Sequence, residues 1–269
     1  MRPALLLCVL LTSTSCSLMR SSRGPMGTSV MVEERRGCVL VLLPGLGDSP
    51  ERFREHGFDE AVKQSSAPCD VVALDSHFGY YRDSVLVERV AEEVLAPFRA
   101  RYQQTWLVGV SLGGYGAALI AAARPELVDG VVLISPFLGV PSAVRPFIER
   151  VEAAGGLSDY AGPFASRGNP KRHFMEVEPL WSWLAGRARG EEGPRLVIAW
   201  GAADGFSWKH RVVGAGLDPS DVVRLEGGHT WETFAALWRE VAATCPWKVE
   251  SLRVSLKGCR RTFRRAPRL

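Results

Sequence analysis

The sequence predicts an α/β fold: a mostly parallel sheet flanked by helices on both faces, with a small helical cap insertion. Three observations predict it. Apolar runs of strand length alternate with runs of helical spacing from Cys38 to about residue 243. The strand-like runs are apolar throughout instead of at every second residue, as expected when both faces are covered. The stretch from Phe137 to Pro194 breaks the alternation and is too long for a simple connection. A chain of 269 residues with 46% apolar and 23% charged residues can bury one large core.

In order, Cys38–Leu43 reads as the first interior strand, with Ser29–Glu34 a candidate for an earlier one. Residues 50–64 are predicted helical and Val71–Leu74 the next strand. Val87, Val90, Val94, Leu95 and Phe98 repeat at helical spacing, which predicts a helix over 84–100. A strand over Thr105–Val110 leads into an Ala-rich helix over 112–123. Further strands are predicted at Gly130–Ile134, Leu196–Trp200 and Asp221–Leu225, and an amphipathic helix over 230–243. The domain is thus expected to span 30–245. The insertion over about 137–194 carries Phe147, Tyr160, Phe164, Phe174, Trp181 and Trp183, and is read as a helical cap over the sheet.

Both ends differ from the middle. Arg2 followed by the apolar stretch Ala4–Leu11 and small polar residues up to Cys16 has the form of an export signal, too short to span a bilayer. It is similar to a bacterial lipoprotein signal, which implies lipidation and membrane anchoring at Cys16; Ser13 stands where that family prefers Leu. Ordinary secretion and no export are the alternatives. Residues 17–29 read as a tether. Over Pro246–Leu269 eight Lys/Arg face one acid, so this tail holds more than the whole net charge of +4. It reads as a solvated end or an anionic-membrane contact, and no nucleic acid partner is expected. Cys38 and Cys69 each open a predicted strand. Those strands are neighbours in this fold, so either a disulfide or two buried thiols fit, and export favours the bridge. No cysteine spacing matches a metal site, so no metal is expected.

The chemistry centres on Gly109-x-Ser111-x-Gly113, which lies between a strand and a helix. A serine on such a sharp turn has its hydroxyl pushed out above the sheet. A serine hydroxyl is a poor nucleophile without a base, and the base needs an acid to hold its tautomer. Asp204 follows the strand ending at Trp200, and His229 follows the strand ending at Leu225. Both lie past the carboxyl end of a strand, where parallel sheets place their sites. As single residues, Asp204 fits a turn or N-cap and His229 a loop histidine; together with Ser111 they form an ordered triad. His56, His77, His173 and His210 lack the strand-then-Gly context and are read as surface or cap residues. Asp218 and Asp221 precede the last strand, at the wrong end of the sheet. An oxyanion needs backbone donors. Leu112 N–H follows the nucleophile, and Leu46 in Leu43–Ser49 is the second candidate. A phosphate loop is excluded, because no Gly-Lys-Ser/Thr follows.

These residues identify a resemblance. Pro44–Asp48, Gly109–Gly114, Asp204 and Gly228–Trp231 resemble the α/β-hydrolase family over roughly residues 30–245. The first motif is similar to the His-Gly-Leu-Gly-Asp of acyl-thioesterase and carboxylesterase members, with Pro44 in place of the His. The resemblance implies acyl transfer to water: Ser111 as nucleophile, His229 as base, Asp204 orienting it, the Leu46 and Leu112 amides on the oxyanion, and no cofactor. The expected substrate is a small ester with an apolar acyl or aryl group, contacted by Phe137, Trp181, Trp183 and Tyr80; His77, Phe78 and Tyr81 are placed at the pocket mouth. The alternatives are a thioesterase or peptidase, or a binding protein on a hydrolase fold.

Overall fold

A computed structural model describes residues 20–34, 37–65, 69–164 and 177–247. The leader with Cys16, the basic tail beyond Trp247, and His173 and Phe174 lie outside the described residues. The strands are β1 (Thr28–Val32), β2 (Cys38–Leu43), β3 (Cys69–Leu74), β4 (Gln104–Val110), β5 (Gly130–Ile134), β6 (Arg195–Gly201) and β7 (Val222–Leu225). They form one sheet in the order β1-β3-β2-β4-β5-β6-β7. All neighbours are parallel except β1, which runs antiparallel to β3.

The period-2 alternation of a strand divides the core in two. Val39, Val41 and Leu43 of β2, with Leu107, Leu133 and Ile198, face one helical layer. Leu40 and Leu42, with Val108, Val132 and Ala199, face the other. The second layer is made by α1 (Glu51–Glu55), α2 (Phe58–Gln64) and, after β7, a long C-terminal helix, α10 (Trp231–Thr244). The first layer holds α3 (Phe78–Arg82), α4 (Leu86–Val90), α5 (Ala96–Arg99), α6 (Leu112–Ala123), α7 (Pro141–Ala153), α8 (Val177–Ala188) and α9 (Ser207–Gly214).

Two predicted helices are interrupted, each for a local reason. The helix over 50–64 divides at His56–Gly57, where Gly57 takes a φ of +71°. The one over 84–100 widens into a π turn at Ala91–Leu95 before Pro97. Proline supplies no N–H and its ring crowds the preceding turn, which a wider turn accommodates. The described part of the insertion is built on α7 and α8, and α8 lies against α6 within the first layer. Its rings close mainly on one another: Phe147 meets Trp181 at 5.1 Å and Phe164 at 5.7 Å.

Residues 20–27, expected as a tether, are instead bound along the domain. Arg20 donates to Asp75 (2.8 Å), Ser22 to Asp83 (2.7 Å), and the Met26 N–H to Glu93 of the π turn (2.7 Å). The start of the basic tail is also packed, with Trp247 buried against Trp106. No helix among the described residues is long and apolar enough to cross a membrane.

Cys38 and Cys69 pair directly in the β2–β3 register and are joined by a disulfide. The bridge sits at the strand ends opposite the loops after β2 and β4. It closes a loop with a sequence separation of 31, which in the chain-entropy picture stabilises by about 3–4 kcal/mol. Replacing both cysteines by serine is expected to lower the urea-unfolding free energy by that amount. Unreduced wild-type protein should not take up alkylating agent at either position, and labelling there would disprove the bridge.

Candidate active site

The site is assembled at the carboxyl ends of β2, β4, β6 and β7. β4 lies centrally between β2 and β5, so the turn after it is flanked by neighbouring chain on both sides. Here the backbone turns abruptly. Ser111 has φ 52° and ψ −112°, a conformation that L residues rarely adopt. It persists because its neighbours bind it. Ser111 N–H donates to Ile134 O (3.0 Å), and Ser111 O accepts from Phe137 N–H (2.8 Å). Helix α6 starts at once and passes close to β2. A Cβ on Gly113 would stand 2.0 Å from the Leu43 carbonyl oxygen, and one on Gly109 2.2 Å from that of Gly113. Only glycine fits at either point.

This turn aims the Ser111 hydroxyl at His229, with Oγ 2.9 Å from Nε2. His229 Nδ1 is 2.7 Å from Asp204 Oδ2. Burial by itself would raise the Asp204 pKa. Hydrogen bonds from His229 and from Phe206 N–H, with the Ser135 side chain nearby, more than offset it, and the carboxyl is held below its ordinary value. An ionised carboxylate cannot donate. Nδ1 must therefore carry the imidazole proton, which leaves the Nε2 lone pair to accept from Ser111. The loops carrying the acid and the histidine are tied by Ala203 N–H donating to Gly227 O (2.9 Å). Phe206 and Phe234 set their edges against the His229 ring at 5.4 and 5.0 Å. The Asp204 side chain is fully buried while that of His229 keeps 31% exposure, so the acid is sealed and the base faces the open side.

The loop after β2 passes beside the serine. A Cβ on Gly45 would lie 3.6 Å from Ser111 Cβ. The turn Gly45–Asp48 is closed by Asp48 N–H to Gly45 O (3.2 Å), and Leu46 at its crest is largely exposed. The Asp48 carboxylate accepts from Trp231 Nε1 (3.2 Å), which ties this loop to the start of α10, two residues past His229. Leu112 is buried at the first position of α6.

The other predicted contact residues divide. Phe137 adjoins Ser111 through its amide and meets the Phe206 ring at 6.1 Å. Trp181 does not face the site: it is fully buried, and its Nε1 donates to Leu138 O (3.1 Å). It is core, because a large ring on the packed face of α8 fills the space over α7. Tyr80 and Trp183 line a cavity of about 610 Å³ between α3, α4, α6 and α8. With Tyr81, Leu86, Tyr115 and Leu119 its lining is mostly apolar, and neither Ser111 nor His229 belongs to it. His77 and Tyr81 are buried nearby, the former capping α3.

Two buried residues of this region escape sequence reasoning. His210, expected as a surface or cap residue, is fully buried. Its Nε2 donates to Pro136 O (2.8 Å), and burial lowers its pKa to about 4, so it is neutral at ordinary pH. Lys209 is also fully buried and donates to Gly139 O (2.6 Å). Among the described residues no group of His, Cys, Asp and Glu is placed to hold a metal.

The profile of the alpha/beta hydrolase family matches residues 40–250. No curated protein matches the sequence. Among solved structures, an S-formylglutathione hydrolase from Staphylococcus aureus superposes with a TM-score of 0.52 at 12% identity, over 83% of this chain and 98% of that one. A monoacylglycerol lipase from Paleococcus ferrophilus gives 0.54 at 19% identity, over 81% and 98%. A ferulic acid esterase gives 0.53 at 13%, over 81% and 95%. These likenesses are of fold.

The close approach at Gly113 makes one test of the geometry. Gly113→Ala is expected to destabilise the fold by about 1–3 kcal/mol, the range for overpacking, because its Cβ meets backbone and not a movable side chain. A thermal melt unchanged from wild type would show that α6 does not press on β2.

Proposed function

The chain belongs to the α/β-hydrolase family, and we propose that it is a serine hydrolase that cleaves carboxylic esters through an acyl-enzyme. The observation that carries this reading is the continuous hydrogen-bond chain Ser111 Oγ–His229–Asp204 on a strained strand–helix turn. As Oγ attacks the ester carbonyl carbon, its proton passes to His229 Nε2. The imidazolium that forms is stabilised by the ionised Asp204. The carbonyl oxygen becomes the oxyanion and receives the Leu46 and Leu112 N–H groups. Collapse expels the alcohol, which takes the proton from His229. A water molecule, deprotonated by His229, then releases the acid and restores Ser111.

The substrate class follows from the walls. Phe137 and Phe206 stand at the serine and histidine, and Leu46 is exposed at the crest of the loop opposite. An apolar acyl or aryl group suits these surfaces better than a charged one. The esterase and lipase among the proteins of like fold agree with this class. We further propose export, which the Cys38–Cys69 disulfide supports, since such bridges persist in oxidising compartments.

Incubation with a fluorophosphonate probe should label wild-type protein and leave Ser111→Ala unlabelled; equal labelling would refute the serine mechanism. Asp204→Asn should lower kcat by roughly 10³–10⁴, because an amide favours the wrong imidazole tautomer. Across p-nitrophenyl esters of rising acyl length, kcat/KM should climb by at most about fourfold per methylene until the pocket is filled, at ~0.8 kcal/mol for each buried CH₂. A flat series would argue against an apolar acyl site.

A further inference from the structure

Lys209 is a full charge in a place where charges are rarely found. It lies in the first turn of α9, a few residues past Asp204. Its ammonium is enclosed by rings, at 4.4 Å from the Phe206 centroid, 5.4 Å from Phe137 and 5.6 Å from Trp208. Its hydrogen bond goes to Gly139 O (2.6 Å). The next residue, His210, holds Pro136 O (2.8 Å). Two adjacent side chains of α9 thus grip two carbonyls of the loop between β5 and α7.

That loop touches both ends of the triad. Its Phe137 N–H is bonded to Ser111 O, and its Ser135 faces Asp204. Ser135 is itself held at φ 43° with its N–H on Ala199 O (2.7 Å). A shift of this loop would move the nucleophile and the acid together.

We propose that Lys209 is a positioning residue of the Ser111–His229–Asp204 site, its ammonium clamping the Ser135–Gly139 loop against both the nucleophile and the acid. The inference rests on the serine-hydrolase reading above. The ring contacts need the positive charge: a neutral amine keeps a hydrogen-bond donor but loses the attraction to the ring faces. Burial lowers the Lys209 pKa to about 8, opposed by the Asp204 carboxylate. The other groups around it are His210 on α9, neutral, and His229 beyond the Phe206 ring. From α7, Arg145 lies over the Trp208 ring at 4.9 Å. From α8, Ala188 meets Gly216 just past α9. The clamp is therefore charged below about pH 8 and released above it.

The sign of the stability effect is opposite. The folded pKa lies below the ordinary 10.5 of an unfolded lysine. Between about pH 8 and 10.5 the unfolded chain binds the proton that the native chain has lost, so this residue's contribution to stability rises with pH. Activity should fall over the range in which the Lys209 contribution to stability rises. A merely structural lysine with this pKa would show the same stability trend and leave kcat unchanged.

The test measures p-nitrophenyl butyrate hydrolysis and urea unfolding from pH 6.5 to 9.5 for wild type, Lys209→Met and Ser111→Ala. Wild-type kcat should decline near pH 8 while KM changes less than about twofold. Lys209→Met should lose that decline and lower kcat at pH 7 by roughly ten- to a hundredfold, the scale of a misplacement of up to about 1 Å. A wild-type kcat and pH profile in Lys209→Met would overturn the proposal. So would a wild-type kcat that stays level from pH 7 to 9.5, a result that requires no folded variant. Hydrolysis that survives Ser111→Ala would instead overturn the triad reading, and this inference with it.

Discussion

The contact on which the site depends is the meeting of Gly113 with the carbonyl end of β2. Because nothing larger than hydrogen fits there, α6 can begin immediately after β4. An immediate start forces the backbone at Ser111 into its strained conformation and lifts the hydroxyl clear of the sheet. The same contact brings the loop after β2 alongside Ser111. Strain of this kind persists only where the surroundings over-determine it. Here the bonds to Ile134 O and from Phe137 N–H provide that restraint.

From the serine outward, the site is held by links between connections that are far apart in the chain. Asp48 reaches Trp231, Ala203 reaches Gly227, and Lys209 and His210 reach the loop after β5. Each link joins two connections at the same end of the sheet. The parallel register places those connections side by side, and the links fix their relative height. The disulfide at the other end of β2 and β3 leaves these loops untouched.

The interior of the sheet and the grouping of Ser111, His229 and Asp204 were legible in the sequence because both have short-range signatures. The bounds of β2, α6 and β5 agree to the residue, since their apolar runs stop at Pro44, Arg124 and Ser135. Asp204 and His229 were legible as polar residues just past strand ends. What escaped has no periodic mark. The partners of residues 20–26, Asp75, Asp83 and Glu93, are remote in sequence, so a bound segment reads as a tether. Trp181 and Trp183 look equivalent on paper, but two residues along a helix is a turn of about 200°. One therefore enters the core and the other lines the cavity beside Tyr80. His210 reads as a surface or cap residue and Lys209 carries no motif at all, because nothing local in the sequence marks a polar side chain as buried.

Asp204 and Lys209 show how the surroundings decide what burial does to a charge. Both lie in the connection after β6, and both are almost wholly removed from water. Burial disfavours the ionised form of each. The carboxylate receives two donors, from His229 and the Phe206 amide, and with Ser135 nearby they outweigh its desolvation. The ammonium has one carbonyl and the faces of three rings, which return less than the water it gave up. Ring faces attract a cation weakly beside a fixed hydrogen-bond acceptor. The carboxyl is thus held ionised more firmly than a free one, while the lysine is left close to titration.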